Sequence, residues 1–212
     1  MQTREKLASR ATEAGLSLPD TAFRGLEAYF ELLRKWNQRV SLTSLPVEEW
    51  ADEAIDRLLL EPAAAARYFL GSRLRVVDLG SGGGSPAIPM KLVAPTISMV
   101  MVESKQKKAA FLREAVRHLS LTDTTVESAR FEELLKAPEF RESADVVTLR
   151  AVRVDPGTLV AAKDFLRPDG LLFLFSSVGH APTHPAPGLL PHAVHSLLPH
   201  LGSRVEILRR VS

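Results

Sequence analysis

The chain has 212 residues, 45% of them hydrophobic and 25% charged, a mix that suits a globular fold with a substantial core and excludes a disordered chain. It has no cysteine, which excludes a disulfide framework, thiolate zinc sites and cysteine nucleophiles, and fits a reducing cytoplasm. The net charge of +2 points to nucleic acid only if basic residues gather on one surface.

Met1 to Arg10 are polar and no apolar run follows them, so neither a secretory leader nor a membrane span is expected. From Leu7 to about Tyr68 the spacing is helical. Leu26, Tyr29, Phe30, Leu33 and Trp36 recur at steps of three or four and define one apolar face. Asp20, after Pro19, is the predicted N-cap of that helix. A turn near Pro46 leads into another helix carrying Trp50, Ala54 and Leu58 at steps of four, which Pro62 interrupts or restarts. Residues 1–70 thus read as a small helical N-terminal region ahead of a second unit, 71–212.

In that second unit strands and helices alternate. Leu74 to Leu79 predicts a buried strand ending in glycines, and Ile97 to Val102 a second strand. Lys105 to Leu119 predicts a helix with Ala109, Leu112, Val116 and Leu119 on one face. Further strands follow at Thr124 to Val126, Ala144 to Leu149 and Leu171 to Phe175, the last after Pro168-Asp169-Gly170, where Gly170 marks the return from a helix. Gly179 to Pro199, rich in Pro and His, predicts a loop or a poorly paired strand, and Arg204 to Val211 a last strand. The alternation implies an α/β fold: a mostly parallel, doubly wound sheet with helices on both faces.

The chemistry gathers at Gly80-Ser81-Gly82-Gly83-Gly84, where the first strand ends. Glycine lets the turn's backbone approach a ligand and tolerates positive φ, and open α/β sheets bind ligands at this carboxyl edge. Glu103 ends the second strand, where a carboxylate can accept both hydroxyl hydrogens of a ribose. Gly82-Gly83-Gly84-Ser85-Pro86-Ala87 also satisfies the dinucleotide pattern G-x-G-x-x-G/A, so an NAD-dependent oxidoreductase stays open. Asp78, in Val-Asp-Leu-Gly just before the glycines, favours a methyltransferase. On this reading Asp78, Gly80, Gly82 and Gly84 belong to the cofactor site.

Five of the six histidines lie between His180 and His200, and their spacing invites a metal reading. Interleaved prolines prevent a regular helix there and no nearby carboxylate completes a site, so no metal is expected. Trp36 reads as a core residue, while Asn37 either caps its helix or orients a loop. Basic residues cluster at Arg34, Lys35 and Arg39, at Lys105, Lys107 and Lys108, and at Arg150 and Arg153. The last two groups follow strand ends on the edge of the glycine turn, where RNA phosphates can lie.

Four stretches together resemble the bacterial GidB or RsmG family, guanine N7-methyltransferases of small-subunit ribosomal RNA. They are Lys35-Trp36-Asn37-Gln38-Arg39-Val40-Ser41-Leu42-Thr43-Ser44, the glycine turn from Val77 to Pro89, Val102-Glu103-Ser104 with Lys107, Lys108, Phe111 and Leu112, and Arg130-Phe131-Glu132-Glu133 with Leu149-Arg150-Ala151. The resemblance implies a Rossmann-like class I methyltransferase, with S-adenosylmethionine as cofactor and small-subunit (16S) ribosomal RNA or the ribosomal subunit as partner. It implies cofactor contacts at Gly80, Ser85, Glu103, Phe131, Glu132 and Arg150, and a catalytic role for Arg150 facing cofactor and substrate. A cytoplasmic monomer is expected.

Three positions depart from the family pattern. Ser85 stands where the family usually has an aromatic residue or leucine. Arg57-Leu58-Leu59-Leu60-Glu61 stands at its His-x-x-Asp-Ser, and Ser176-Ser177-Val178-Gly179 where Lys-Gly is usual. The alternatives left open are a methyltransferase with another RNA or small-molecule substrate, and a degenerate paralogue that binds the cofactor without activity.

Overall fold

A computed structural model describes residues 2–151, 154–177 and 187–211. Seven strands form one sheet in the order β3-β2-β1-β4-β5-β7-β6. They are β1 (Arg75–Leu79), β2 (Ser98–Val102), β3 (Thr124–Glu127), β4 (Ala144–Leu149), β5 (Leu166–Ser177), β6 (Leu189–Ser196) and β7 (Ser203–Arg210). The first five pair in parallel, while β7 runs antiparallel to both β5 and β6. Chain order reverses between β1 and β4, which opens a crevice beyond the carboxyl ends of these two strands.

Two apolar clusters cover the two faces of the sheet. One joins Val76, Met99 and Phe173 to Leu26, Phe30, Leu59 and Ile88 from helices, the other Val77, Val100 and Leu172 to Leu159 and Phe165. Alternate residues of β1 feed opposite clusters, as the period of two requires. The first face carries α1 (Gln2–Glu13), α2 (Asp20–Asn37), α5 (Ala87–Val93) and α6 (Gln106–His118); the second carries α8 (Pro156–Phe165). Residues from both sides of position 70 share the first cluster.

Several expectations shift in detail. Pro19 is the N-cap of α2, without a side-chain cap bond, and Asp20 opens the helix, where it pairs with Arg24 and Arg4. The helix expected after Pro46 begins as α3 (Asp52–Ile55), widens into a π-helical turn over Asp56–Leu60 and continues as α4 (Glu61–Ala66). Pro62 lies inside this continuous helix, where it has no N–H to give the Leu58 carbonyl four residues back, and that carbonyl accepts the Ser85 hydroxyl instead.

The fifth strand starts earlier than predicted. Leu166 already pairs with Ala144, and Pro168-Asp169-Gly170 forms a bulge before pairing resumes at Leu171. The stretch read as a loop or poor strand contains β6, an edge strand whose register slips between Pro191 and Ala193, a position suited to a residue without an N–H. His192 and His195 lie on β6 and His200 in a short 3-10 turn at Pro199–Leu201, whereas His180 and His184 fall outside the described residues. Among the described residues, no helix is long and apolar enough to cross a membrane, and no three His, Asp or Glu side chains gather as metal ligands.

Candidate cofactor site

The glycine turn leaves β1 with Gly80, Gly82 and Gly84 at φ values of 77°, 53° and 89°. This left-handed backbone is open to glycine at little cost and strained for other residues. The three glycines answer different needs. Around Gly82, among the described residues, only the Gly80 carbonyl oxygen, at 3.7 Å, lies within reach of an added Cβ. At Gly84 such an atom would sit 2.5 Å from Ile88 Cδ1, so this glycine allows α5 to close against the turn. At Gly83 it would meet the Leu42 carbonyl oxygen at 3.2 Å and Leu33 Cδ1 at 3.3 Å.

Glu103 reaches back from the end of β2 to the turn. Its Oε2 accepts the Gly82 N–H at 2.9 Å and its Oε1 the Lys105 N–H at 2.7 Å. A carboxylate offers about four lone-pair sites, so these two bonds orient it and leave acceptor capacity for a diol. Gly80 and Ser81 both donate their N–H groups to the Val102 carbonyl, tying the turn to the same strand end.

The turn is also held from the N-terminal helices. Tyr29 of α2 donates its hydroxyl to the Gly83 carbonyl at 2.6 Å. Burial pushes the Tyr29 phenol far above its usual range, so it remains a proton donor. Asn37, at the end of α2, accepts the N–H groups of Leu42 and Thr43 through Oδ1, which settles its role as loop-orienting and sets Leu42 against Gly83. Trp36 packs edge-on to Phe111 of α6, as a core residue should.

Beneath the turn lies a buried polar cluster. Asp78 is 1% exposed, and its Oδ1 accepts the Thr148 hydroxyl of β4 at 2.5 Å. Its Oδ2 has no partner among the described residues, and burial pushes its pKa up to about 6. Arg150, just past β4, donates from Nη1 to Ser85 Oγ at 3.1 Å and lies 3.4 Å from Glu61 Oε1 through Nη2. Its guanidinium also faces the Phe175 ring at 5.8 Å. Ser85 in turn donates to the Leu58 carbonyl at 2.9 Å. Burial raises the Glu61 pKa against the pull of Arg150 and Arg57, and lowers that of Arg150, with Glu61 opposing.

Of the residues predicted from sequence, Gly80, Gly82, Gly84 and Glu103 form the turn and its clasp. Asp78, Ser85 and Arg150 form the buried support below. Phe131 and Glu132 open the short α7 (Phe131–Leu134) after β3; Phe131 packs against the second core cluster and Glu132 is exposed. Tyr29, Glu61 and Thr148 escaped sequence reasoning. Glu61 carried a usable signal, a lone carboxylate within Leu58-Leu59-Leu60-Glu61-Pro62-Ala63-Ala64. Of the basic groups, Lys105 and Lys107 are exposed at the start of α6. Arg34 pairs with Glu31 and Glu48, Arg150 is largely enclosed, and Arg153 lies outside the described residues.

This strand order, the antiparallel seventh strand and a glycine turn between β1 and α5 define the Rossmann-like class I methyltransferase fold. Solved structures agree at the level of fold. MtNAS in complex with MTA and tNA aligns with a TM-score of 0.62 at 15% identity, over 91% of this chain and 75% of that one. TYW2 of M. jannaschii in complex with AdoMet gives 0.53 at 14% identity, over 82% and 78%. Within that class, the family described as rRNA small subunit methyltransferase G (GidB) matches residues 23–178, and the chain belongs to this family.

Ribosomal RNA small subunit methyltransferase G of Geobacter sp. (strain M21) is 35% identical over 167 residues, 79% of this chain and 74% of that protein. The protein of the same description from Roseiflexus castenholzii is 40% identical over 148 residues, 70% of this chain and 62% of that protein. The chain therefore spans less than two thirds of the length of this relative.

Proposed function

We propose that the protein is an S-adenosylmethionine-dependent methyltransferase that modifies guanine N7 in small-subunit (16S) ribosomal RNA, working as a monomer in the cytoplasm. The observation that carries this reading is the clasp between Glu103 and the glycine turn. Glu103 is aimed by two backbone N–H groups yet keeps lone pairs for a ribose, and among the described residues a Cβ added at Gly82 would meet just the Gly80 carbonyl oxygen. The residues present fit the cofactor. Gly80, Gly82 and Glu103 would hold its ribose and amino-acid portions from the turn side. Phe131 and Glu132 would flank the adenine, while Asp78, Gly84 and Ser85 support the turn from beneath. In this reading residues 71–212 carry the cofactor and the helices of 1–70 brace its turn through Tyr29 and Leu42.

When bound, the cofactor supplies a methyl group on a positively charged sulfur. Guanine N7 bears an in-plane lone pair and no proton at neutral pH, so attack needs no general base. The protein's share is in-line positioning and exclusion of water. Arg150 suits the positioning task. Its planar fork matches the guanine O6 edge or a phosphate; Ser85 occupies one of its five N–H donors and Glu61 pairs with the other arm at 3.4 Å. The exposed Lys105 and Lys107 lie beside Glu103 on the same edge, placed to meet RNA phosphates.

The first test is calorimetric titration with S-adenosylhomocysteine, with NADH as control and Glu103→Ala as the site variant. Micromolar binding lost in the variant, followed by labelled-methyl transfer to small subunits that lack the modification, is the expected result. NADH binding in place of the sulfur ligand would overturn the reading.

A further inference from the structure

The helix running through α3, the π-helical turn and α4 makes two connections to the region beneath the glycine turn. In the π-helical turn the Glu61 N–H bonds to the Asp56 carbonyl, five residues back. One residue is thereby absorbed without advancing the helix, so everything after it is turned by about 100° relative to an uninterrupted α-helix. Glu61, the first residue past the turn, is brought to face Arg150, with Oε1 3.4 Å from Nη2. Leu58, inside the turn, accepts the Ser85 hydroxyl, and Ser85 Oγ accepts the other arm of Arg150. Arg57 stands 4.0 Å from the second Glu61 oxygen and is itself anchored by Glu53 at 3.1 Å.

Arg150 is therefore gripped on two sides by one helix, directly through Glu61 and through Ser85. An arginine left to itself past a strand end samples many rotamers, and a guanidinium confined by a carboxylate and a hydroxyl does not. The Glu61 side chain is 4% exposed, and its Oε2 accepts no hydrogen bond among the described residues. A buried ion pair with one oxygen lacking a hydrogen bond is a poor way to stabilise a fold, since apolar residues of the same volume would serve as well. Its specific effect is to fix where one cation points.

We propose that Glu61 is a positioning residue for methyl transfer, acting through Arg150, and that the π-helical turn Asp56–Leu60 is the device that places it. This rests on the reading of Arg150 given above. Because the two side chains work as one unit, their losses do not add.

The test is a double-mutant cycle of Glu61→Gln and Arg150→Ala, read as kcat for methyl transfer to small subunits, with S-adenosylhomocysteine affinity measured on each protein. Glu61→Gln is expected to lower kcat about tenfold or more and to leave the ligand affinity within about threefold. In the Arg150→Ala background the same change is expected to add less than about twofold. Wild-type kcat in Glu61→Gln, or losses that multiply, would overturn the proposal. Should Glu61→Gln fail to fold, Glu61→Asp keeps the charge but withdraws it by one methylene, and is expected to lower kcat as well; wild-type kcat there overturns the proposal. A wild-type protein that binds the ligand but methylates no subunit removes the proposed function instead. The pairing is then read by nitrogen NMR of the Arg150 guanidinium, whose slowed rotation is expected to be lost in Glu61→Gln and whose persistence would refute the grip.

Discussion

Asp78 shows how a single atom can set a pH profile. Thr148 holds one of its oxygens, the other has no hydrogen-bond partner among the described residues, and burial raises its pKa to about 6. The neutral carboxyl is the form the fold favours. Its contribution is whole below the ordinary carboxylate range and is lost as pH rises from about 4 through about 6, a difference of roughly 3 kcal/mol. Asp78→Asn is expected to flatten this part of the profile, checked by thermal unfolding of both proteins between pH 4 and 8. Parallel curves would contradict it. The glycines allow a second comparison. Gly84→Ala meets both a positive φ and Ile88 at 2.5 Å, and is expected to cost about 3 kcal/mol or more; Gly82→Ala meets only the φ and is expected to cost about 1 kcal/mol. Urea unfolding of the two variants reads the difference. The run of glycines was plain in the sequence, but which one serves packing and which lies open was not, because that depends on how closely α5 approaches.

The elements owe their existence to local pattern and their roles to what they touch. Periodicity placed Tyr29 on the apolar face of α2, and it is fully buried there. Nothing in that period revealed that its hydroxyl ends on the Gly83 carbonyl, because the two residues are 54 positions apart. Tyr29→Phe leaves that carbonyl without its donor and is expected to cost about 1–3 kcal/mol in unfolding and to weaken S-adenosylhomocysteine binding several-fold, measured by calorimetry. The helix after Pro46 was foreseen, its π-helical turn was not: no residue type in Asp56-Arg57-Leu58-Leu59-Leu60 demands one. The bulge at Pro168-Asp169-Gly170 was legible as punctuation, yet its site within β5 follows from the pairing of Leu166 with Ala144.

Across the molecule, the two units suggested by pattern share one core. Asp56 is buried and clasped by Arg10 from α1 and by His200 at 2.7 Å from the turn between β6 and β7. Arg10→Ala leaves that carboxylate with His200 as its side-chain partner among the described residues and is expected to cost about 2–3 kcal/mol by urea unfolding. Both tryptophans, Trp36 and Trp50, lie before residue 71, whereas far-ultraviolet circular dichroism reports on the whole chain. With Phe30, Leu59, Val76 and Phe173 in one cluster, the two signals are expected to unfold together in urea. Separate transitions would show that residues 1–70 fold as a unit of their own.

Local chemistry was enough for the strand and helix succession, the glycine turn and the acidic residue ending β2, because each depends on neighbours a few positions away. The antiparallel pairing of β6 with β7, the grip of Glu61 and Ser85 on Arg150, and the burial of Asp78 depend on side chains far apart in sequence. Closing the sheet brings those groups together, and desolvation then sets their charge, their partners and their reach.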